Sequence, residues 1–250
     1  MQDNPALDGK AYEKSLSHLP LLARKRLLHG DWTVQEQGLI QGSWLRYYRV
    51  AGEQLQLLGE GEKVLLGVTR KNVRRIITVD PAGTSRERAA EKRGRMPSWT
   101  VVQVWDLVQG GAWRPMILRH QFRGRVGFDG LCAELRRAQK AWRADAVWIE
   151  NEKLGQAAVD VLSGEMRIAC IPTRGKDKLT RASALLLKLE QGEVFLPKEP
   201  VSWRGDFESE LLSWTGDPEE PSDQIDAAAY AALVSQQGGG VVRMSRVVVG

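Results

Sequence analysis

Four acidic residues in this 250-residue chain, at three sites, stand where an element starts or stops, not in an exposed middle. Asp80 closes the run "VRRIITVD", Glu150 closes "DAVWIE", and Asp223, at the end of the turn "GDPEEPSD", opens with Asp226 the alanine-rich segment "QIDAAAYAALVSQ". A carboxylate at the end of an apolar strand is costly to bury unless it is hydrogen-bonded or meets a cation. If the strands ending in Asp80 and Glu150 lie side by side and the late helix crosses them, the carboxylates converge and repel one another. Hard divalent ions such as Mg2+ or Mn2+ relieve that repulsion, and two ions about 3.5–4 Å apart can activate a water and stabilise the leaving oxygen of a phosphodiester. The chemistry implied is phosphodiester hydrolysis. Each acid also has a plainer reading: Asp80 before Pro81 suits a turn, Glu150-Asn151-Glu152 suits a polar loop, and Asp223 suits a helix cap with Asp226 in the first turn.

The elements that must position these acids are legible from periodicity. "VRRIITVD" is a strand, and "WTVVQVWDLV" (99–108) and "WRPMILRHQF" (113–122) are two more, joined through a Gly-Gly turn suited to a hairpin. In "FDGLCAELRRAQKAW", Phe128, Leu131, Leu135, Ala138 and Trp142 recur at helical spacing. That helix leads to the strand "DAVWIE", a helix over 154–163, a short strand "RIACI", and the helix "KLTRASALLLKLEQG". A further helix over 203–214 follows "VFLP", and the helix carrying Asp226 comes last. Three antiparallel strands followed by strands alternating with helices define an α/β class with a mixed, helix-flanked sheet. Residues 1–70 read as a helical lead-in ("LPLLARKRLLHGDW", 19–32) and linker with irregular or short-strand structure, 71–237 as the principal domain, and 238–250 as a flexible glycine-rich tail.

Composition narrows the partners. Hydrophobic residues make up 42% of the chain, enough for a sizeable core, and the formal net charge is +5, which favours a polyanionic partner. Arg174, Lys176, Lys178 and Arg181 fall at a loop and helix start where side chains and backbone N–H groups meet phosphate well, although a solvated basic face has the same composition. A second basic segment spans 84–96 and reads as a DNA-gripping or a plain surface loop. Cys132 and Cys170 are far apart in apolar contexts, which excludes a disulfide framework, and His18, His29 and His120 have no metal-ligand spacing. Trp105, Trp142 and Trp148 fall inside elements and are expected in the core; Trp99, Trp113, Trp203 and Trp214 lie near element ends, where packing or base stacking is open to them. No apolar run reaches the roughly 18–20 residues of a membrane span, so no membrane partner and a cytoplasmic location in a host cell are expected.

In order along the chain, "LPLLARKRLLHGDW", "ITVDPAG", "VWIEN" with "GQAAVDVL", "PTRGKDKLTRASALLLKLEQGEVFLP" and "SDQIDAAAYAAL" resemble the C-terminal nuclease domain of the large terminase subunit of tailed phages, within the ribonuclease H-like superfamily. The resemblance runs from about residue 19 to 234. It implies an endonuclease that uses two Mg2+ or Mn2+ ions to cut double-stranded DNA concatemers during genome packaging with little sequence preference. Asp80, Glu150 and Asp223 would hold the metals, with Asp226 close by, and Arg174, Lys176, Lys178 and Arg181 would hold the DNA backbone. It further implies a small terminase subunit, an ATPase motor and a portal as partners. Two departures stand out: family members often carry adjacent acids where this chain has Ser222-Asp223, which leaves the ligand role open between Asp223 and Asp226, and the chain has no G-x-x-x-x-G-K-[ST] phosphate loop, so motor activity is not expected of it. A junction resolvase of the same fold and a non-catalytic DNA-binding module remain the alternatives.

Overall fold

The computed structural model describes residues 38–82, 99–171 and 177–236. The helix expected over 19–32, the basic segment 84–96, Arg174, Lys176 and the tail lie outside the described residues.

Nine strands form one sheet: β1 (Arg46–Ala51), β2 (Gln54–Leu58), β3 (Val64–Val68), β4 (Val73–Asp80), β5 (Thr100–Val108), β6 (Met116–Gly124), β7 (Ala146–Glu150), β8 (Ile168–Ile171) and β9 (Val194–Pro197). Their order is β3-β2-β1-β9-β6-β5-β4-β7-β8. β4, β5 and β6 are an antiparallel meander, and β7 and β8 add in parallel beyond β4. This is the mixed sheet the periodicity called for. Gly110 and Gly111, both at positive φ (81° and 114°), turn the chain between β5 and β6 through a conformation that L side chains rarely adopt.

The helices are α1 (Phe128–Trp142), α2 (Lys153–Leu162), α3 (Lys178–Glu190), α4 (Arg204–Ser213) and α5 (Asp223–Gln236). The period of two in the strands sorts them onto two faces. Ile77 and Val79 of β4, Val102 and Val104 of β5, and Val147 and Ile149 of β7 pack on Leu131 and Leu135 of α1 and Ala158 and Leu162 of α2. Ile76, Trp105 and Trp148 point the other way, into a core with α3, α4 and α5. The final helix is apolar almost all round, as its burial demands: Ala227 through Ala232 are all buried.

Two findings depart from the sequence reading. Residues 46–68, read as irregular or short-strand structure ahead of a domain beginning at 71, are three strands of the same sheet. Tyr48, Leu55, Leu57 and Val68 share a core with Val73, Val108, Ile117 and Phe195. The link is β9, the segment "VFLP", which pairs in parallel with both β6 and β1. Four buried residues carry no periodicity that would distinguish a strand from a loop. The second departure is Trp142, expected in the core. It is half-buried at the end of α1, with the guanidinium carbons of Arg75 and Arg119 at 5.4 and 5.5 Å from its ring centre and His120 stacked on it at 5.7 Å.

Both arginines are organised by one buried acid. Arg75 makes a bidentate contact with Asp106 (2.6 and 2.8 Å), and Arg119 adds a third hydrogen bond at 2.8 Å. Asp106 is 1% exposed. Removing it would leave two guanidinium groups facing each other in a partly dry site. We expect Asp106→Ala to lose about 3–5 kcal/mol of stability, the usual cost of orphaning a buried ionic partner, measured by urea denaturation.

Candidate active site

Register decides where the acids stand. Asp145, just before β7, accepts a hydrogen bond from the Arg75 backbone N–H (2.7 Å) and one from the Arg70 side chain (3.1 Å), while its own N–H donates to the Arg75 carbonyl. These contacts pin β7 to β4 so that Val79 pairs with Ile149, and the next residues along, Asp80 and Glu150, are neighbours at the strand ends. By the same alternation both side chains turn to the face covered by α5. A one-residue slip would bury them against α1 and α2 instead.

Glu150 is held in place by the tight entry into α2. The Glu152 N–H turns back to the Glu150 carbonyl at 2.9 Å, and α2 starts at once. Gly155 lies so close that a Cβ there would sit 1.9 Å from the Glu150 carbonyl oxygen. Only a glycine permits this approach.

The third group comes from α5, whose start is anchored by a polar network. Glu210 of α4 accepts from the N–H groups of Gln224 (2.9 Å) and Ile225 (3.2 Å), so the cap of α5 is supplied by another helix and not by Asp223. The buried Gln224 side chain also bonds Glu210 and accepts from Gln121, which accepts in turn from Gln103 at 2.7 Å; Gln103 also donates to the Gln224 carbonyl at 3.1 Å. This chain ties α5 to β5 and β6. Asp223 accepts from the Trp99 backbone N–H and lies near Arg123. Asp226 is paired with Arg181 of α3 at 3.1 Å and accepts from Ser222 Oγ at 2.8 Å. Asp177 caps α3 through the Thr180 N–H (2.8 Å), which sets Arg181 one turn into that helix.

The electrostatics are those of crowded acids. Burial, then the charges of Glu150, Asp226 and Asp223, push the Asp80 carboxyl well above the ordinary range. Burial also raises Glu150, although the neighbouring Asp80 carboxyl, the Tyr230 hydroxyl and the charge of Arg181 work against the rise. Asp223 is raised by burial, with Arg123 opposing. The Tyr230 hydroxyl is buried among Asp80, Glu150 and Asp226 and faces Glu150 without a hydrogen bond of standard geometry.

A set of carboxylate oxygens with one buried phenol beside it is the donor chemistry that hard divalent cations take. Among the described residues, no three His, Cys, Asp or Glu side chains are drawn together closely enough to enclose an ion as they stand. The outer acids are instead engaged by their own partners, Asp226 by Arg181 and Ser222, Asp223 by Trp99. Of the basic residues expected at DNA, Lys178 donates to the Glu220 carbonyl and Arg181 pairs with Asp226. Sequence reasoning missed Glu210, Tyr230, Gly155 and the glutamine network. Only Gly155 left a signal, as a glycine inside a helical pattern two turns short of its end.

A meander flanked by two parallel strands, with acids at the ends of its first and fourth strands and at the start of a late helix across them, defines the ribonuclease H-like fold. The solved structures make the likeness more particular. The large terminase nuclease of thermophilic phage G20c with bound magnesium is 16% identical, with 79% of this chain and 97% of that one covered and a TM-score of 0.50. The large terminase nuclease domain of Thermus phage P74-26 is also 16% identical (79% and 92% covered, TM-score 0.46), and that of bacteriophage SPP1 with bound manganese is 14% identical (64% and 84%, 0.42). The chain shares its fold with the G20c nuclease. No protein-family model matches the chain, and no curated protein matches it in sequence.

Two outcomes are expected from the geometry. A folded-state carboxyl pKa above its unfolded value contributes stability that is present below the ordinary carboxylate range and lost as pH rises through the raised value. Asp80→Asn, which keeps the shape and removes the charge, should therefore raise the melting temperature in EDTA at pH 8 by about 2–4 °C for each kcal/mol of repulsion relieved, with the difference vanishing near pH 3. Gly155→Ala should cost about 1–3 kcal/mol by overpacking against the Glu150 carbonyl, seen as a lower urea midpoint.

Proposed function

We propose that the protein is a metal-dependent endonuclease that cleaves double-stranded DNA with little sequence preference during phage genome packaging. The observation that carries this reading is the placement of Asp80 and Glu150 side by side at the ends of adjacent parallel strands, on the face crossed by the start of α5. Four acids gathered around a half-dry site are destabilising for a merely structural purpose, and plain caps or turns would not require the register lock at Asp145.

Two Mg2+ or Mn2+ ions held by Asp80, Glu150 and Asp223, with Asp226 alongside, would supply Lewis-acid polarisation of the scissile phosphate and a lowered pKa for the attacking water. The chain's own residues do the rest. Asp80, between Glu150 on one side and α5 on the other, faces both halves of the cluster and would be the acid common to them in holding the metal. Arg181 offsets part of the negative charge and orients Asp226, so we assign it a positioning role and not a DNA contact. Tyr230 closes the floor of the site against water. Arg174 and Lys176, just ahead of α3, are proposed to hold the DNA backbone. Sequence choice would be left to partners: a small terminase subunit, an ATPase motor and a portal in the packaging assembly of a host cell. No helix among the described residues is long and apolar enough to cross a membrane.

The test is nicking and linearisation of supercoiled plasmid with Mn2+, Mg2+ or EDTA. The wild type should cut with either metal and stop in EDTA, and Asp80→Asn should lose at least about a hundredfold, more than loss of a supporting residue costs. Equal cutting by both proteins would reject the site. Absence of cutting by the wild type, together with no melting-temperature rise in Mn2+, would reject the nuclease reading.

A further inference from the structure

A second feature lies in line with the acids. Asp80 pairs with Val101 of β5, and Val101 pairs with Arg123 of β6. Residues directly opposite one another in antiparallel strands point to the same face, so Asp80, Val101 and Arg123 form one row facing α5. Arg123 stands two strands from Asp80, about 10 Å at the usual strand spacing. Just past the end of β6 comes Arg125, and just before β5 comes Trp99. The two guanidinium carbons lie 4.9 Å (Arg123) and 4.3 Å (Arg125) from the Trp99 ring centre.

Two cations on one indole repel each other unless anions are near. Arg123 has two: Glu210, at 3.6 Å, and Asp223. Its Nε is buried with no hydrogen-bond partner among the described residues. Arg125 is exposed and has no ion pair among the described residues, so its stacking on Trp99 fixes the direction of a cation that none of them neutralises. A stacked, planar guanidinium loses less freedom on binding than a free side chain and matches phosphate oxygens in a fork. The spacing suits nucleic acid: about 10 Å covers about three nucleotides at a rise of about 3.4 Å per nucleotide of one strand.

We propose that Arg125, with Arg123 behind it and Trp99 as its platform, binds a backbone phosphate of the DNA strand a few nucleotides from the carboxylate site. The inference rests on the nuclease reading and names where the substrate runs: along the ends of β7, β4, β5 and β6, past the start of α5. A contact to phosphate positions the strand without reading its bases. Trp99 also ties this contact to the acids, because its backbone N–H bonds Asp223 while its ring carries Arg125.

The experiment is fluorescence anisotropy with a duplex of about 30 base pairs at several salt concentrations, in an Asp80→Asn background that keeps the DNA whole. Arg125→Ala should bind about three- to tenfold more weakly near 0.1 M salt, with the slope of log K against log salt shallower by about 0.9, the value of one phosphate contact. Trp99→Ala should weaken binding in the same direction by freeing Arg125. Arg137→Ala, which removes an exposed cation from α1 on the opposite face of the sheet, should leave the slope unchanged. An unchanged slope for Arg125→Ala, an equal change for Arg137→Ala, or no duplex binding at all would overturn the proposal. Failure of the nuclease reading shows separately, as absence of metal-dependent cutting by the wild-type chain.

Discussion

Mutual repulsion between carboxylates sets the terms for the rest of this structure. Asp80 and Glu150 are neighbours at the ends of β4 and β7, both with raised pKa values, and two more acids face them from the first turn of α5. Such a cluster disperses unless the scaffold beneath it is stiff. Stiffness here comes from three places. Asp145 locks the β4–β7 register, the Glu210 and glutamine network fixes the start of α5, and Gly155 lets α2 press against the carbonyl of Glu150. Each is a polar or steric constraint inside an otherwise apolar core.

Charge is graded across the sheet's end. At the Glu150 side Arg181, reaching in from α3, offsets part of the acids' charge. At the β6 side cations are added, with Arg123 and Arg125 stacked on Trp99 and Arg123 facing both Glu210 and Asp223. A negative centre with a basic rim on one side suits the approach of the proposed polyanion, which acids alone would repel.

The same sheet is stabilised far from this end by a different arrangement. Asp106 collects Arg75 and Arg119, and Trp142 covers both guanidinium groups. There the excess is positive and the acid is satisfied, so no cation is called for. The two clusters differ in their balance: one acid is paired within the fold by two cations, whereas the acids at the strand ends outnumber the cations beside them among the described residues.

Much of this was legible in the chain itself. Period-two alternation in "VRRIITVD" and period 3.6 in "FDGLCAELRRAQKAW" dictate elements locally, because each buries one face. The acids at element ends were therefore visible as Asp80, Glu150, Asp223 and Asp226. What tertiary structure alone decided is which elements become neighbours. "VFLP" is too short and too uniformly apolar to announce a strand, yet as β9 it joins residues 46–68 to the sheet. The commitment of Arg181 to Asp226, the capping of α5 by Glu210 and the stacking of Arg123 and Arg125 on Trp99 all join residues whose meeting depends on packing and register. A sequence specifies the period of each element directly, whereas the partners of a side chain at its end are set by contacts distant in sequence, which no local pattern encodes.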